Sequence, residues 1–223
     1  GNTLRRVLLS SLPGAAVEAI KIKGVQHEFS SAEGLKEDVV DIILSLKQLA
    51  VRVFVDEPVN LHISKKGPGE VTAADIEANS SVEIMNPDLV LATLTSNKVF
   101  EMDLVVGRGR GFKPVEEKDK KHYDLGTIVI DSIYTPIKDV GYNVEYTRMG
   151  DVTNYEKLTL NIETNGTISP SEAVKQTTQI IMDHFGIIAA GANEVVEELP
   201  MPAVAKEEEP KAKKVKKAKK IKS

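Results

Sequence analysis

Apolar and polar residues alternate along much of this chain, which is the period-two pattern of β-strands that bury one face. The segments 100–106, 142–146 and 158–162 each place an apolar side chain at every second position. Alternation of this kind is typical of antiparallel sheets with one solvated face. We therefore predict a strand at each of these three segments.

A further pair of alternating segments lies on either side of a turn signal. Apolar residues recur at every second position over 51–55 and 59–63, and Asp56-Glu57-Pro58 separates the two runs. Two such runs joined by turn-forming residues predict a β-hairpin in which the strands pair with each other.

Three segments, 4–12, 35–49 and 170–188, instead repeat apolar residues at the spacing of an amphipathic helix. The third has the clearest beginning, because Ser169 and Glu172 form the S-x-x-E pattern of a capping box. Strands outnumber helices and do not alternate with them regularly. The predicted fold class is therefore α+β, with mostly antiparallel sheets.

The first helical segment has a wide apolar side. Arg5 interrupts the apolar arc, whereas Arg6 falls on the opposite, polar side of the cylinder. An arc this wide indicates burial on more than one side, so the helix either belongs to the core of a monomer or also packs against a second chain. The apolar residues of the arc include Leu4, Val7, Leu8 and Leu12.

The chain of 223 residues has no cysteine, which excludes disulfides and thiolate metal sites. It has no run of about 18 apolar residues, so we expect no transmembrane helix and no membrane partner. The apolar stretch near the N-terminus is broken by serines and ends at Pro13-Gly14, unlike a secretory signal peptide. These features predict a cytoplasmic protein.

Charge is distributed unevenly. Residues 206–223 hold nine lysines and three glutamates, a net charge of +6, so the rest of the chain carries −10 against a total of −4. An acidic body has little affinity for nucleic acid, because that affinity comes from neutralising phosphates. The lysine-rich tail, which we place at 191–223, is predicted to be disordered, either as a solvated terminus or as an arm that binds polyanions.

Signatures of catalysis are missing from the sequence. None of the four histidines is followed three or four residues later by a ligand-type residue. The chain contains neither a G-x-S-x-G motif nor a D-x-D motif for divalent ions. We therefore expect no metal, no cofactor and no catalytic residue on this chain. The histidines are His27, His62, His122 and His184.

The segment Gly107-Arg108-Gly109-Arg110-Gly111 is a candidate binding loop. Alternating glycines permit a tight turn and the close approach of another chain, and Arg108 and Arg110 can contact phosphate or carboxylate. The segment matches neither the P-loop nor the dinucleotide-binding fingerprint. A plain turn, a protein interaction loop and a nucleotide site all remain open.

Seven stretches, spread over roughly residues 1–190, form a set. They are GNTLRRVLLSSLPGAAV at 1–17, HEFS at 27–30, KEDVVDIILSLK at 36–47, GPGEVTAADI at 67–76, GRGRGFKP at 107–114, YNVEYTR at 142–148 and KLTLNIETNGTISPSEA at 157–173. In this order they resemble one family, the alpha subunit of bacterial DNA-directed RNA polymerase, in its N-terminal assembly domain.

The resemblance implies a discontinuous architecture. Residues 1–13 and 136–190 would form a dimerisation domain, and an insert domain, 14–135, would interrupt it. In this family the first helix and the capped helix near 170–188 pack against their copies in a second subunit. The interface residues that this implies are Leu4, Val7, Leu8, Leu12, Val174, Ile181, Phe185 and Ile188.

The resemblance also implies contacts with larger subunits. Arg6 matches the family position that contacts the beta subunit. Arg108 and Arg110 would lie in a loop of the insert domain that faces the large catalytic subunits. The family's chains begin with strands ahead of the first helix and usually carry a C-terminal helical domain that reads promoter DNA. We therefore interpret Gly1 as a fragment boundary and the lysine-rich tail as standing in place of that domain.

The function implied is a non-catalytic assembly subunit. Two copies would form a homodimer that docks the beta and beta-prime subunits of a nucleotidyltransferase, which transcribes DNA into RNA from ribonucleoside triphosphates. DNA would be reached through the assembled, nucleoid-associated complex and through the tail. Two alternatives belong to other classes: a nucleic-acid-binding module that acts through the tail, and an α+β enzyme that binds an anionic substrate at the GRGRG segment.

Overall fold

The computed structural model describes residues 1–118, 123–124, 126–150 and 152–198. The chain divides into two units, Gly1–Asp183 and His184–Ser223. The elements are α1 (Asn2–Ser10), β1 (Pro13–Ile22), α2 (Val39–Leu46), β2 (Val51–Val53), β3 (Val59–Lys66), β4 (Gly69–Thr72), β5 (Val82–Ile84), β6 (Val90–Leu94), β7 (Val99–Arg110), β8 (Phe112–Lys113), β9 (Ile128–Val129), β10 (Ser132–Ile133), β11 (Ile137–Met149), β12 (Val152–Thr164) and α3 (Pro170–Glu198).

The largest sheet of the first unit has the strand order β3-β7-β1-β9. Its central strand β7 pairs antiparallel with β1 along one edge and with β3 along the other. Phe100, Met102, Leu104 and Val106 of β7 are buried, as their period-two spacing predicts. The pairings between the described strands are all antiparallel, so the predicted α+β class with mostly antiparallel sheets is confirmed.

The predicted β-hairpin over 51–63 is wrong. Both strands form, but β2 pairs with β5, and β3 pairs with β7. The register between β3 and β7 extends over the whole of Val59–Lys66. A three-residue strand such as β2 could satisfy only part of the backbone of β3, so the longer partner is favoured. Alternation indicates which residues form strands, but it does not select their partners.

Helix α2 is shorter than the predicted helix over 35–49, because its first residue is Val39. The backbone N–H of Lys36 donates to the carbonyl of Thr93 at 3.0 Å. The carboxylate of Glu37 accepts the N–H of Thr93 at 2.7 Å. These bonds tie the residues ahead of the helix to β6 and hold them out of a helical conformation.

The first unit contains two separate clusters of buried apolar side chains. The larger cluster includes residues from Val17 to Ile130, contributed by the large sheet, α2 and the small sheets. The smaller cluster forms where α1 and α3 pack beside the β11–β12 hairpin. Its buried members are Leu8, Leu12, Ile137, Val140 and Ala173, with Leu9, Ile162, Ile168 and Ile180 packed against them.

Helix α3 begins as predicted, because the Oγ of Ser169 accepts the N–H of Glu172 at 3.3 Å. The described helix extends to Glu198, past residue 191, where the predicted tail begins. Alanine and glutamate in this stretch favour the helix. The lysine-rich segment 206–223 lies outside the described residues.

Candidate interaction surfaces

Helix α1 directs part of its apolar side into its own chain. Leu8 of the helix and Leu12, two residues beyond its end at Ser10, are both 0% exposed and belong to the smaller cluster. Leu4 and Val7 are only partly buried. Of the four residues predicted for a dimer seam on this segment, two are therefore used in the chain's own core and two are accessible to a partner.

The two adjacent arginines of α1 are both exposed. Neither Arg5 nor Arg6 forms an ion pair with a described residue. The hydroxyl of Ser10 donates to the backbone carbonyl of Arg6 at 2.8 Å, one helical turn further along. Since Arg5 also faces solvent, the buried side of α1 is narrower than the apolar arc predicts.

In the first unit, α3 contributes Ala173 and Thr177 to the buried interior, each at 0% exposure. The predicted seam residues Val174 and Ile181 are partly buried. Met182 is 62% exposed. The accessible apolar surface of α3 in this unit therefore increases toward residue 183.

The second unit, taken by itself, exposes large apolar side chains on its helical residues. Phe185, Ile187 and Ile188 are 62%, 72% and 65% exposed. Phe185 and Ile188 are the remaining residues of the predicted seam. Three large apolar side chains within four positions are unfavourable in water and are typical of a protein interaction surface.

One face of the β11–β12 hairpin carries a row of apolar side chains, which we call the hairpin row. It starts in the smaller cluster, where Val140 lies opposite Ile162. It continues toward the tip of the hairpin, where its side chains reach solvent. The exposed members are Tyr142 (42%), Val144 (45%), Tyr146 (83%) and Leu158 (40%).

The start of α1 lies against the hairpin row. A Cβ built on Gly1 would lie 2.5 Å from the ring of Tyr142 and 3.2 Å from a methyl group of Leu158. The accessible residues of α1 and the hairpin row are therefore neighbours in the structure. The sequence predicts both strands of this hairpin but not the interaction surface, because alternation does not reveal whether a face is covered by the same chain.

The predicted GRGRG loop is a strand over most of its length, so the loop interpretation is wrong. Residues 107–110 form the end of β7 and pair with β1. A Cβ on Gly109 would lie 2.8 Å from the ring of Tyr134, and a Cβ on Gly107 would collide with the carboxylate of Glu18. These two glycines make room for side chains that cross the sheet and do not serve to turn the chain.

Glu18 lies at a β-bulge in β1, where the register against β7 shifts. Its carboxylate accepts hydrogen bonds from the hydroxyls of Tyr134 at 2.6 Å and Tyr123 at 3.4 Å. Burial raises the pKa of the Tyr134 phenol, and the hydrogen bond to Glu18 acts in the same direction. This arrangement fixes the bulge to the segment that follows β10.

The ammonium group of Lys118 is buried beside the same bulge. Its Nζ donates to the backbone carbonyl of Glu18 at 3.2 Å, to the carbonyl of Ile130 and to the Oγ of Ser132 at 2.6 Å. Burial lowers the pKa of Lys118, although nearby carboxylates oppose this effect. All three contacts join segments of the protein interior, which identifies Lys118 as a structural group and not as a surface acid or base.

The two arginines of the GRGRG segment differ in their surroundings. Nη1 of Arg108 donates to Oδ1 of Asp56 at 2.6 Å. Arg110 is exposed and has no ion pair with a described residue. Just beyond it, Phe112 and Ile133 face each other across β8 and β10 and are 59% and 46% exposed. Arg110 and this apolar pair form a surface suited to protein contact.

The histidines that the structure describes do not converge on a metal site. Nδ1 of His62 lies 2.6 Å from Oδ1 of Asp103, and this hydrogen bond raises the pKa of His62. Within the part of the chain that the structure describes, no group of three or more His, Asp or Glu side chains is arranged to hold a metal ion. His122 lies outside the described ranges.

Among the described helices, none combines the length and the apolar character that crossing a membrane requires.

Comparison with known proteins gives two findings. The family profile described as the RNA polymerase Rpb3/RpoA insert domain matches residues 20–135. A protein from Oceanobacillus iheyensis named DNA-directed RNA polymerase subunit alpha is 49% identical over 213 residues. That alignment covers 96% of this chain and 67% of the relative. The resemblance found in the seven stretches is therefore confirmed at the level of the family.

Proposed function

The chain belongs to the family of bacterial DNA-directed RNA polymerase alpha subunits, and we propose that it is a non-catalytic assembly subunit of that polymerase. Two copies form a dimer, one copy docks the beta subunit, and the other docks the beta-prime subunit. The assembled enzyme is a nucleotidyltransferase that transcribes DNA into RNA from ribonucleoside triphosphates. This chain contributes protein surfaces to the enzyme and no catalytic group.

The observation that carries the proposal is the hairpin row. An apolar face that continues from a buried cluster into solvent is stabilised when another protein surface covers it. We assign the second copy of the chain to this face, because Leu4 and Val7 of α1 are accessible beside it. In the first unit, the exposed side chain of Met182 supplies further apolar surface. In the second unit, taken by itself, we assign the exposed Phe185 and Ile188 to the dimer seam as well.

The proposed domain layout has a dimerisation domain at 1–13 and 136–190 and an insert domain at 14–135. The composition of the two apolar clusters supports it. The smaller cluster draws on α1, the β11–β12 hairpin and α3, whereas the larger one draws on residues between Val17 and Ile130. Two clusters with no buried residue in common are expected when one domain interrupts another.

For docking of the large subunits, we assign Arg6 to the beta subunit and the surface around Arg110 to the large catalytic subunits. Both arginines are exposed and have no ion pair with a described residue, so their charges are available to carboxylates of a partner. Arg108 is a weaker candidate, because its guanidinium is already paired with Asp56. Phe112 and Ile133 add apolar area next to Arg110.

The rival proposal, a nucleic-acid-binding module, depends on the lysine-rich tail at 206–223, which lies outside the described residues. It predicts affinity for DNA that falls steeply with salt and that is lost when the tail is removed. The second rival, an enzyme using the GRGRG segment, is weakened because two of the glycines accommodate Glu18 and Tyr134. Neither glycine is free to approach a phosphate.

Light scattering of the chain, alone and mixed with a matching beta subunit, tests the proposal. We expect a dimer that takes up one beta subunit per two chains. Phe185→Asp should shift the chain toward the monomer, because a carboxylate would lie in the apolar seam. A wild-type chain that stays monomeric at micromolar concentration and does not bind the beta subunit would contradict the proposed function.

A further inference from the structure

The chain passes between its two apolar clusters at two neighbouring points. It leaves the smaller cluster after Leu12 and returns to it before Ile137. At the crossing, a Cβ on Gly14 would collide with the carbonyl oxygen of Tyr134 and would lie 3.3 Å from Cδ of Pro136. Two adjacent chain crossings define an axis, and rotation about such an axis is the motion of a hinge.

The loop between β12 and α3 makes a third connection between the two sides of the hinge, by hydrogen bonds and not by the chain itself. Hydrogen bonds within the loop fix its conformation. The N–H of Asn165 donates to the carbonyl of Pro136 at 2.9 Å. The side-chain oxygen of Asn165 accepts the N–H of Thr167 at 3.0 Å and its hydroxyl at 2.6 Å. Ile168 packs against the smaller cluster. The loop is therefore fixed to the smaller cluster, and the carbonyl of Thr167 is held in a defined position.

Arg52 of β2 reaches this loop from the side of the larger cluster. Its Nε donates to the carbonyl oxygen of Thr167 at 3.2 Å, and its Nη2 donates to the same oxygen. Its Nη1 donates to Glu83, which is its direct partner across β2 and β5, at 3.1 Å. The guanidinium therefore donates to a carboxylate of its own sheet and, at the same time, to a backbone carbonyl of the neighbouring loop.

The space around this connection is open. A cavity of about 550 Å³ lies between the two sides. Arg52, Val53 and Arg108 line it from the larger cluster, and Pro136, Ile168 and Glu172 line it from the other side. Since the two surfaces do not pack tightly here, the hydrogen bonds of Arg52 constrain the angle between them more than apolar contact does.

We propose that Arg52 is a positioning residue that sets the angle between two parts of the first unit. One part bears α1, the hairpin and the first turns of α3, and the other is built on the larger cluster. The two chain crossings serve as the hinge, and the bonds from Arg52 to Thr167 stop rotation about it. The structural claim stands on these contacts alone. Its consequence rests on the proposed function: a fixed angle presents the dimer surface and the docking surface together.

Spin labels measure this angle directly, because the chain has no cysteine of its own. Ser64→Cys on β3 and Thr159→Cys on β12 introduce two exposed label sites, one on each side of the hinge. Pulsed electron–electron double resonance on the full chain, diluted with unlabelled chain, gives the distance distribution within one molecule. Binding of the beta subunit is measured in parallel on the same variants.

We expect a narrow distribution for the wild type and roughly a doubling of its width for Arg52→Met, because rotation about the hinge is released. Arg52→Lys keeps the charge but not the two-donor fork, so its width should be intermediate. If Arg52→Met does not fold, the width of the distance distribution of Arg52→Lys tests the proposal instead. The matched control is Lys23→Met, which removes a 2.7 Å ion pair to Glu101 within the large sheet and should leave the distribution narrow.

An Arg52→Met distribution as narrow as that of the wild type would overturn the proposal, and so would a wild-type distribution that is already broad. Binding data separate this failure from that of the proposed function. If the widths of the distance distributions change as expected while the wild type does not bind the beta subunit, the positioning role stands and the assembly role fails. If the wild type binds the beta subunit while the widths of all variants agree, the positioning role fails.

Discussion

The hydroxyl of Tyr134 donates a 2.6 Å hydrogen bond to the carboxylate of Glu18, although the two residues are 116 positions apart in the chain. Their side chains cross β7 above Gly109 and Gly107, where any Cβ would be in the way. Internal packing thereby explains Gly107 and Gly109, whereas Gly111 has a φ of +63°, a conformation that favours glycine. The bond also holds the bulge of β1 to the segment that leads back to the hinge.

The first prediction concerns Gly109. Gly109→Ala should lower the free energy of unfolding by about 1–3 kcal/mol, because the new methyl group overlaps the buried ring of Tyr134. The measurement is urea denaturation followed by circular dichroism.

Gly141→Ala is the matched control, since it makes the same change in β11 where a Cβ would meet its nearest neighbour only at 3.8 Å. The control should be neutral or slightly stabilising. Equal loss of stability in the two variants would show that the ring of Tyr134 does not determine the need for glycine.

Much of the fold follows from the sequence because burial imposes periodicity. The strand at 100–106, the cap at Ser169 and the α+β class are all confirmed. The pairing of strands does not follow from periodicity, since β2 and β3 are adjacent in the chain but pair with β5 and β7, respectively. Long-range register depends on the lengths of all competing strands, which a local pattern does not contain.

The candidate surfaces could be predicted only in part. Apolar spacing places Leu8 and Leu12 on one face of the predicted helix over 4–12, but it does not reveal that the helix ends at Ser10 or that both residues are 0% exposed within a single chain. The hairpin row is the opposite case, because its side chains are exposed where those of Leu8 and Leu12 are buried. The sequence shows its alternation, but its exposure depends on which other segments of the chain cover that face. The contact between Arg52 and Thr167 has no sequence signal, since a backbone carbonyl accepts it.

The second prediction concerns pH. The hydrogen bond that the His62 ring donates to Asp103, together with the charges of Asp103, Glu77 and Glu101, raises the pKa of His62 above its unfolded value. The resulting stabilisation is present at pH values below the unfolded pKa of about 6.5 and is lost as the pH rises through the folded pKa. Because the pair is exposed, the effect on stability should be below about 1 kcal/mol.

An NMR titration of the His62 ring protons measures this shift without relying on small stability changes. We expect a midpoint above about 6.5 in the wild type and a lower midpoint in Asp103→Asn, where the anionic partner is removed. If Asp103→Asn left the His62 midpoint unchanged, the hydrogen bond would not be the cause.

The third prediction tests the hairpin row. Val144→Asp should raise the dissociation constant of the dimer by about 100-fold or more, since burying an unpaired carboxylate costs several kcal/mol. Thr159→Asp places the same charge on the opposite face of the hairpin, in the strand paired with the row, and should leave the dimer intact. Sedimentation velocity over a range of concentrations measures both. Equal effects of the two variants would remove the row from the interface.

The fourth prediction separates assembly from binding of nucleic acid. Deletion of residues 206–223 removes a net charge of +6 and should weaken any DNA affinity at low salt, with a smaller dependence of that affinity on salt. Dimer formation and uptake of the beta subunit should not change. Fluorescence anisotropy with a DNA duplex measures the first quantity and light scattering the second. Loss of beta-subunit binding in the shortened chain would favour a role for the tail in assembly.

The last prediction uses the adjacent arginines of α1. Arg6→Ala should weaken binding of the beta subunit by about 10-fold or more, because a charged hydrogen bond across an interface contributes about 1.5–3 kcal/mol. The dimer should persist, since Arg6 is exposed and alanine is favourable in a helix.

Arg5→Ala is the matched control for Arg6→Ala. It removes the same charge from the same helix, one position away, at a residue that is also exposed. The general effect of lowering the positive charge of α1 is therefore equal in the two variants, and a difference between them reports the position of the guanidinium. Binding of the beta subunit is measured by surface plasmon resonance at two salt concentrations. If both variants weakened binding equally, and high salt removed the effect, α1 would attract the beta subunit by charge alone and the specific role of Arg6 would be wrong.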